Sequence, residues 1–216
     1  MYVYFPSCNY TRASKECSDK IKEYLSKQEH VRVEGCCRPG HKKLTSEDIA
    51  LTVCQTCSAI VREDSEATDM SIFEWLDQDP NFVWPDYHGE RMYIQDCYKA
   101  RNKANALKAI RSVMKKMNIE IIELPNNYEK ADYCGTFYYN KMLPANMKFA
   151  PKTFIDDASA KIDLKTPEEQ EALMKEYCKQ FDLNTRVVVY CNSCLRGLKM
   201  GGANGIHLMD LVVRDL

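Results

Sequence analysis

Cysteine is the residue type here with the most chemistry to offer, at 11 in a chain of 216 residues. Nine of the 11 fall into two series. The first is Cys8, then Cys36-Cys37, then Cys54-x-x-Cys57. The second is Cys97, then Cys134, then Cys191-x-x-Cys194. Both run in the same order, a lone Cys, a Cys or Cys pair, then C-x-x-C, and such a recurrence marks an internal repeat. A bare C-x-x-C can be half a zinc site, a redox pair or part of an iron–sulfur site, because its spacing brings two sulfurs to one centre from one turn. The adjacent Cys36-Cys37 is more telling. Two neighbours can both ligate only if the centre is extended or the backbone turns sharply. A single tetrahedral zinc takes four ligands. The first series offers five, which favours a polynuclear cluster, and soft thiolates suit zinc and iron–sulfur centres alike.

The elements around the cysteines repeat as well. Tyr2-Val3-Tyr4-Phe5 is a strand-like run that ends just before Cys8. Ala13, Cys17, Ile21, Tyr24 and Leu25 then recur at helical steps. Val31 and Val33 lead to Cys36-Cys37, and a strand from Ile49 to Val53 runs into Cys54, with a helix opening at 58–63. In the second half Met92-Tyr93-Ile94 leads to Cys97. A helix is marked by Ala106, Leu107, Ile110, Val113, Met114 and Met117, and a strand by Ile119 to Leu124. Thr166-Pro167-Glu168-Glu169 reads as a helix start with Leu173, Met174, Tyr177 and Phe181 on its inner side. Val187 to Tyr190 is a strand ending at Cys191. Strands alternating with helices predict an α/β protein of two pseudo-repeated, Rossmann-like halves with mostly parallel strands. The cysteines then stand at strand carboxyl ends, where open α/β sheets place ligands and where helix N-termini favour thiolate. The expected organisation is a first half over 1–65, an ordered connection over 66–90 carrying Phe73, Trp75, Phe82 and Trp84, and a second half over 91–216. Ser71-x-x-Glu74 in the connection has the form of a capping box.

The paired cysteine pattern resembles the Cys-rich CCG domain found in the CCG-type subunit of heterodisulfide reductases. Related domains occur in Cys-rich subunits of glycolate and lactate oxidation systems, some succinate dehydrogenases and thiol:fumarate reductases. Asp96-Cys97-Tyr98-Lys99-Ala100-Arg101, Ala131-Asp132-Tyr133-Cys134-Gly135-Thr136 and Tyr190-Cys191-Asn192-Ser193-Cys194 are similar to compact, stand-alone iron–sulfur-binding members. The resemblance implies that Cys8, Cys36, Cys37, Cys54 and Cys57 hold a noncubane [4Fe–4S] cluster, made of two fused smaller units. It implies a second site at Cys97, Cys134, Cys191 and Cys194. The activity implied is an oxidoreductase's, disulfide reductase-like or a subunit of one, in thiol–disulfide or related electron transfer. This chain departs from the pattern in three ways. Arg38 stands where the family has Gly after the Cys pair. Tyr133-Cys134-Gly135 keeps the Gly and loses the first Cys, so the four remaining ligands fit a cubane [4Fe–4S] cluster, a zinc or an altered noncubane cluster. Cys37 and Cys54 are separated by 16 residues where Cys134 and Cys191 are separated by 56, so the first half lacks a segment that could shape a substrate pocket.

Composition narrows the classes. The net charge of −1 argues against a chain built to hold a nucleic-acid backbone. No run approaches the roughly 18 apolar residues of a membrane span. Met1 to Cys8 does not read as a secretory signal, so a cytoplasmic protein with reduced thiols is expected. No phosphate loop or dinucleotide fingerprint is present. Cys17 and Cys178 lie on apolar helix sides and read as packing; His88 and His207 read as structural hydrogen-bonding residues. Asp96 reads as a helix N-terminal acid, and Arg38 and Arg196 as charges able to tune a nearby centre. Arg101, Lys103, Lys108, Arg111, Lys115 and Lys116 read as a solvated face, and more sharply as a dock for an acidic redox partner such as a ferredoxin, a flavodoxin or another redox subunit. A small thiol or disulfide is the expected substrate class. Two other functions remain open: a zinc-stabilised binding or regulatory protein without catalysis, and a pure electron relay.

Overall fold

A computed structural model describes residues 1–216. The chain divides into two compact units. The first comprises Met1–Phe82, Met142–Ser159 and Val213–Leu216, and the second Val83–Lys141 and Ala160–Val212. Each is built on one four-stranded, all-parallel sheet. This is the α/β architecture of two Rossmann-like halves expected from the alternation of strand and helix.

The first unit contains β1 (Tyr2–Phe5), α1 (Cys8–Ala13), α2 (Lys15–Ser26), β2 (Val31–Val33), α3 (Cys37–Gly40), β3 (Ile49–Thr52), α4 (Gln55–Asp64), β4 (Thr68–Ser71) and α5 (Ile72–Gln78). Its strand order is β2-β1-β3-β4. The second contains β5 (Arg91–Ile94), α6 (Ala104–Lys116) and β6 (Glu120–Glu123). The stretch that follows carries α7 (Pro144–Phe149), which packs in the first unit. The second unit then resumes with α8 (Pro167–Cys178), β7 (Val187–Val189), α9 (Asn192–Met200), β8 (Gly205–His207) and α10 (Leu208–Val212). Its order, β6-β5-β7-β8, repeats that of the first unit strand for strand.

In each sheet the chain starts in a central strand, moves to one edge, and returns to the other side. The switch points lie between β1 and β3 and between β5 and β7, and such points are where α/β sheets bind ligands. Register makes the cysteines level. Tyr4 pairs with Leu51 and with Val33, so Cys54 and Cys36 each follow their paired residue by three positions and Cys8 follows Tyr4 by four. Ile94 pairs with Val188, and Cys97 and Cys191 each stand three residues beyond.

The edge strands β4 and β8 lie outside the strands that the sequence pattern marks. Thr68-Asp69-Met70-Ser71 is polar, as an edge strand tolerates, and falls in the stretch that reads as a connection. Both helix-start signals are realised: Ser71 and Thr166 form complete capping boxes with Glu74 and Glu169. On α8 the buried side is Gln170, Met174 and Cys178, while Leu173 is 39% exposed, which corrects its assignment to the inner side. No helix is long and apolar enough to cross a membrane.

Candidate metal centre

The second cysteine series converges in the second unit. Cys97 is the residue before a 3-10 turn (Tyr98–Ala100), Cys134 the residue before another (Gly135–Tyr139), and Cys191 the N-cap of α9, which carries Cys194 in its first turn. The Sγ atoms of Cys97, Cys191 and Cys194 all lie within 4.8 Å of one another. Cys134 Sγ is 4.0 Å from Cys97 Sγ and shares a hydrogen bond with Cys194. None of the four is more than 7% exposed. The bonds from Cys194 and Cys97 hold Cys134 and Cys191 well below the usual thiol range. Cys97 is pushed up by its bonds to Cys134 and Cys191, and Cys194 chiefly by burial. The Lys99 ammonium, which lies 3.4 Å from the Phe137 ring centroid, also favours thiolate at Cys134 and Cys191.

Glycine permits this approach. Gly135 has φ +58, and a Cβ there would sit 1.9 Å from the Ser193 carbonyl oxygen. The contact is sealed by Ser193 Oγ donating to Cys134 O at 2.9 Å and Arg196 Nε donating to Thr136 Oγ1 at 2.8 Å.

The first series gathers in the first unit more loosely. Cys8 shares a hydrogen bond with Cys36, and Cys57 shares one with Cys37 and one with Cys54. No three of these sulfurs lie mutually within 4.8 Å. Cys37 and Cys57 are buried, Cys36 and Cys54 half-buried, and Cys8 exposed. Burial and the bond to Cys36 raise the Cys8 thiol, while the bond from Cys57 lowers Cys37. Cys36 and Cys54 are the N-caps of α3 and α4. Ser7, 3% exposed, takes φ 63 immediately before Cys8, a backbone conformation costly for a residue other than Gly and characteristic of functional sites.

Arg38 lies within α3 beside Cys37, and its Nη2 donates to Asn146 Oδ1 at 3.0 Å. Asn146 belongs to Met142–Ser159, the segment from the long Cys134–Cys191 interval that packs in the first unit. Phe149 from the same segment packs edge-on against His41, centroids 5.1 Å apart. His41 is fully buried, 2.7 Å from Cys37 O and 2.8 Å from Asp64 Oδ2. Glu63 accepts from the amides of Lys152 and Thr153 at 2.7 and 3.0 Å. Residues 142–159, from the long Cys134–Cys191 interval, thus pack beside the short Cys37–Cys54 interval.

Cys178 is buried and its thiol donates to Leu198 O at 3.7 Å, while Cys17 is half-exposed on α2. His88 is exposed and pairs with Asp86 at 3.3 Å. His207 accepts from the Met209 amide at 3.2 Å, the structural bond expected of it. Arg111 is a correction. It is 6% exposed rather than part of a solvated face, because it shares the inner stripe of α6 with Leu107 and Met114. It grips Asp96, itself fully buried and bonded through Tyr190 to the cysteine cluster, a partnership that sequence spacing does not reveal.

Comparison with protein-family models, with curated proteins and with solved structures finds no match. What stands from the structure is a cysteine-rich α/β protein in which Cys97, Cys134, Cys191 and Cys194 form a buried cluster able to hold a metal ion or a metal cluster.

Proposed function

We propose that the chain is an iron–sulfur protein of thiol–disulfide or related electron transfer, similar to the CCG-type subunit of heterodisulfide reductases, with two centres of different character. The observation that carries the reading is the convergence of four buried thiols in the second unit. Four sulfurs with little solvent access match a closed tetrahedral site, so a structural zinc or a fully ligated cubane [4Fe–4S] cluster suits them. The same closure favours a second reading in which this centre is zinc and serves stability alone.

The five-thiol array of the first unit has the opposite features: a wider spread of sulfurs, graded burial and one exposed member, Cys8. A larger centre such as a noncubane [4Fe–4S] cluster fits Cys8, Cys36, Cys37, Cys54 and Cys57, and such a group supplies single-electron storage and a soft iron for a substrate sulfur. The chain's own part is to hold the thiolates at helix N-termini, to keep water from Cys37 and Cys57, and to set a guanidinium, Arg38, beside Cys37. A small disulfide would take up two electrons and two protons and leave as two thiols. The electrons would come from an acidic redox partner, a ferredoxin or flavodoxin, drawn by exposed Lys108, Lys115 and Lys116 of α6.

Anaerobic purification with counts of iron, sulfide and zinc tests the proposal. Iron and sulfide are expected, with Cys36→Ala and Cys37→Ala each losing cluster content. If both variants keep full iron, the five-ligand reading is wrong. A colourless protein carrying zinc alone, lost in Cys194→Ala, would establish the second reading instead.

A further inference from the structure

Asp96 and Tyr190 immediately precede Cys97 and Cys191, just beyond β5 and β7. The Tyr190 hydroxyl donates to Asp96 Oδ1 at 2.9 Å and accepts from the Cys97 amide at 3.1 Å. Both side chains are buried, at 0% and 1% exposure. The Asp96 carboxylate is filled from the other side. Arg111 Nη1 and Nη2 donate to it at 2.8 and 2.7 Å, and the Tyr128 amide at 2.8 Å. Arg111 in turn donates through Nε and Nη2 to Glu123, each at 2.9 Å.

Buried ion pairs are poor sources of stability, because apolar residues of similar volume hold elements together as well or better. What such a network supplies is geometry: every member is satisfied, so each has one place to be. Here the fixed atoms adjoin two of the four thiols. The bond between Tyr190 and Asp96 ties the end of β7 to the end of β5, and the bond from Cys97 N fixes the amide of a cysteine in the cluster. We propose that Asp96 and Tyr190 are positioning residues of the four-thiol centre, a staple that sets the Cys97 and Cys191 sulfurs at ligating separation before an ion arrives. The proposal rests on the metal-centre reading of this cluster. Partners of this kind, one bond removed from the ligands, change metal retention by about 10–100-fold when removed.

Cobalt(II) is the probe, because its absorption reports tetrahedral thiolate ligation. Reduced, metal-free wild-type protein is loaded with cobalt(II), and release to excess chelator is followed by stopped flow. Cys194→Ser identifies the part of the spectrum that belongs to this centre. Tyr190→Phe is expected to release that cobalt about 10–100-fold faster, with the melting temperature of the metal-free protein within a few degrees of wild type. Asp96→Asn keeps an acceptor for Tyr190 but strips Arg111 of a buried charge partner. It is expected to release cobalt faster and to lose metal-free stability as well, which leaves Tyr190→Phe to separate positioning from a merely structural role. Wild-type release rates in both variants would overturn the proposal. So would faster release in Tyr190→Phe matched by an equal loss of metal-free stability, the signature of a merely structural role. Should the variants fail to fold, hydrogen exchange in the metal-free wild type decides: a protected Cys97 amide supports the staple, a freely exchanging one rejects it. If wild-type protein shows no Cys194-dependent cobalt spectrum, the metal-centre reading itself fails and the staple falls with it.

Discussion

His207 closes β8 with its ring fully buried and its Nδ1 accepting from the Met209 amide. Burial, opposed by Asp210 and Cys191, lowers its pKa from 6.5 to about 4. A histidine depressed in the folded state binds its proton more readily when unfolded. Its contribution is therefore complete above the unfolded value near 6.5 and is lost as pH falls toward about 4. The loss over that window is roughly 3 kcal/mol. Urea unfolding at a series of pH values should show this slope in wild-type protein and a flatter acid limb in His207→Gln. At this scale much is legible in the sequence. Spacing alone picks out the four thiols of the second cluster, and the structural role of His207 follows from its place at a helix start. Arg111 escapes although its signal is present, since it stands four residues after Leu107 and three before Met114, on a stripe whose apolar members mark it as buried. Asp96 cannot be paired with Arg111 from sequence alone, because the contact spans 15 positions and two elements.

The helix after Cys191 and the turn after Cys134 meet through glycine. Gly197, on α9, would place a Cβ 2.8 Å from Gly135 Cα, and Gly135 itself has the left-handed φ that only Gly adopts cheaply. Replacing Gly135 by Ala should destabilise the second unit by about 3 kcal/mol or more, since backbone strain adds to a clash with backbone that cannot rotate away. Chemical denaturation checks the magnitude. Metal content should fall with it, because Cys134 must withdraw. Elements with strong local signals are legible: the two capping boxes, the amphipathic α6 and the apolar β7. β4 and β8 are not. Their residues have neither alternation nor apolar continuity, and each holds its place as an edge strand by pairing with a buried neighbour, β3 or β7.

At the scale of the molecule, the repeat in cysteine spacing is a repeat of topology, with strand orders β2-β1-β3-β4 and β6-β5-β7-β8. The allegiance of residues 142–159 is illegible, because their docking depends on side chains far away in the chain: Asn146 with Arg38, Phe149 with His41, and the 152–153 amides with Glu63. Ala150, Phe154 and Ala158 of this segment are fully buried. A fragment of residues 1–82 alone should therefore be largely unfolded, since losing one buried Phe side chain costs about 3–5 kcal/mol, a large part of a small unit's stability. Adding a peptide of residues 142–159 should restore helical circular dichroism. A signal from the fragment equal to its share of the intact protein's would refute this.

That discontinuity also sets an order of events during synthesis. A chain leaves the ribosome from its N-terminus, yet the first unit needs Phe154 and Val213, both buried within it. The half that is made first therefore finishes last. Cys37 and Cys57 leave the ribosome well before Phe154 and Val213, so they emerge before the unit that buries them can close.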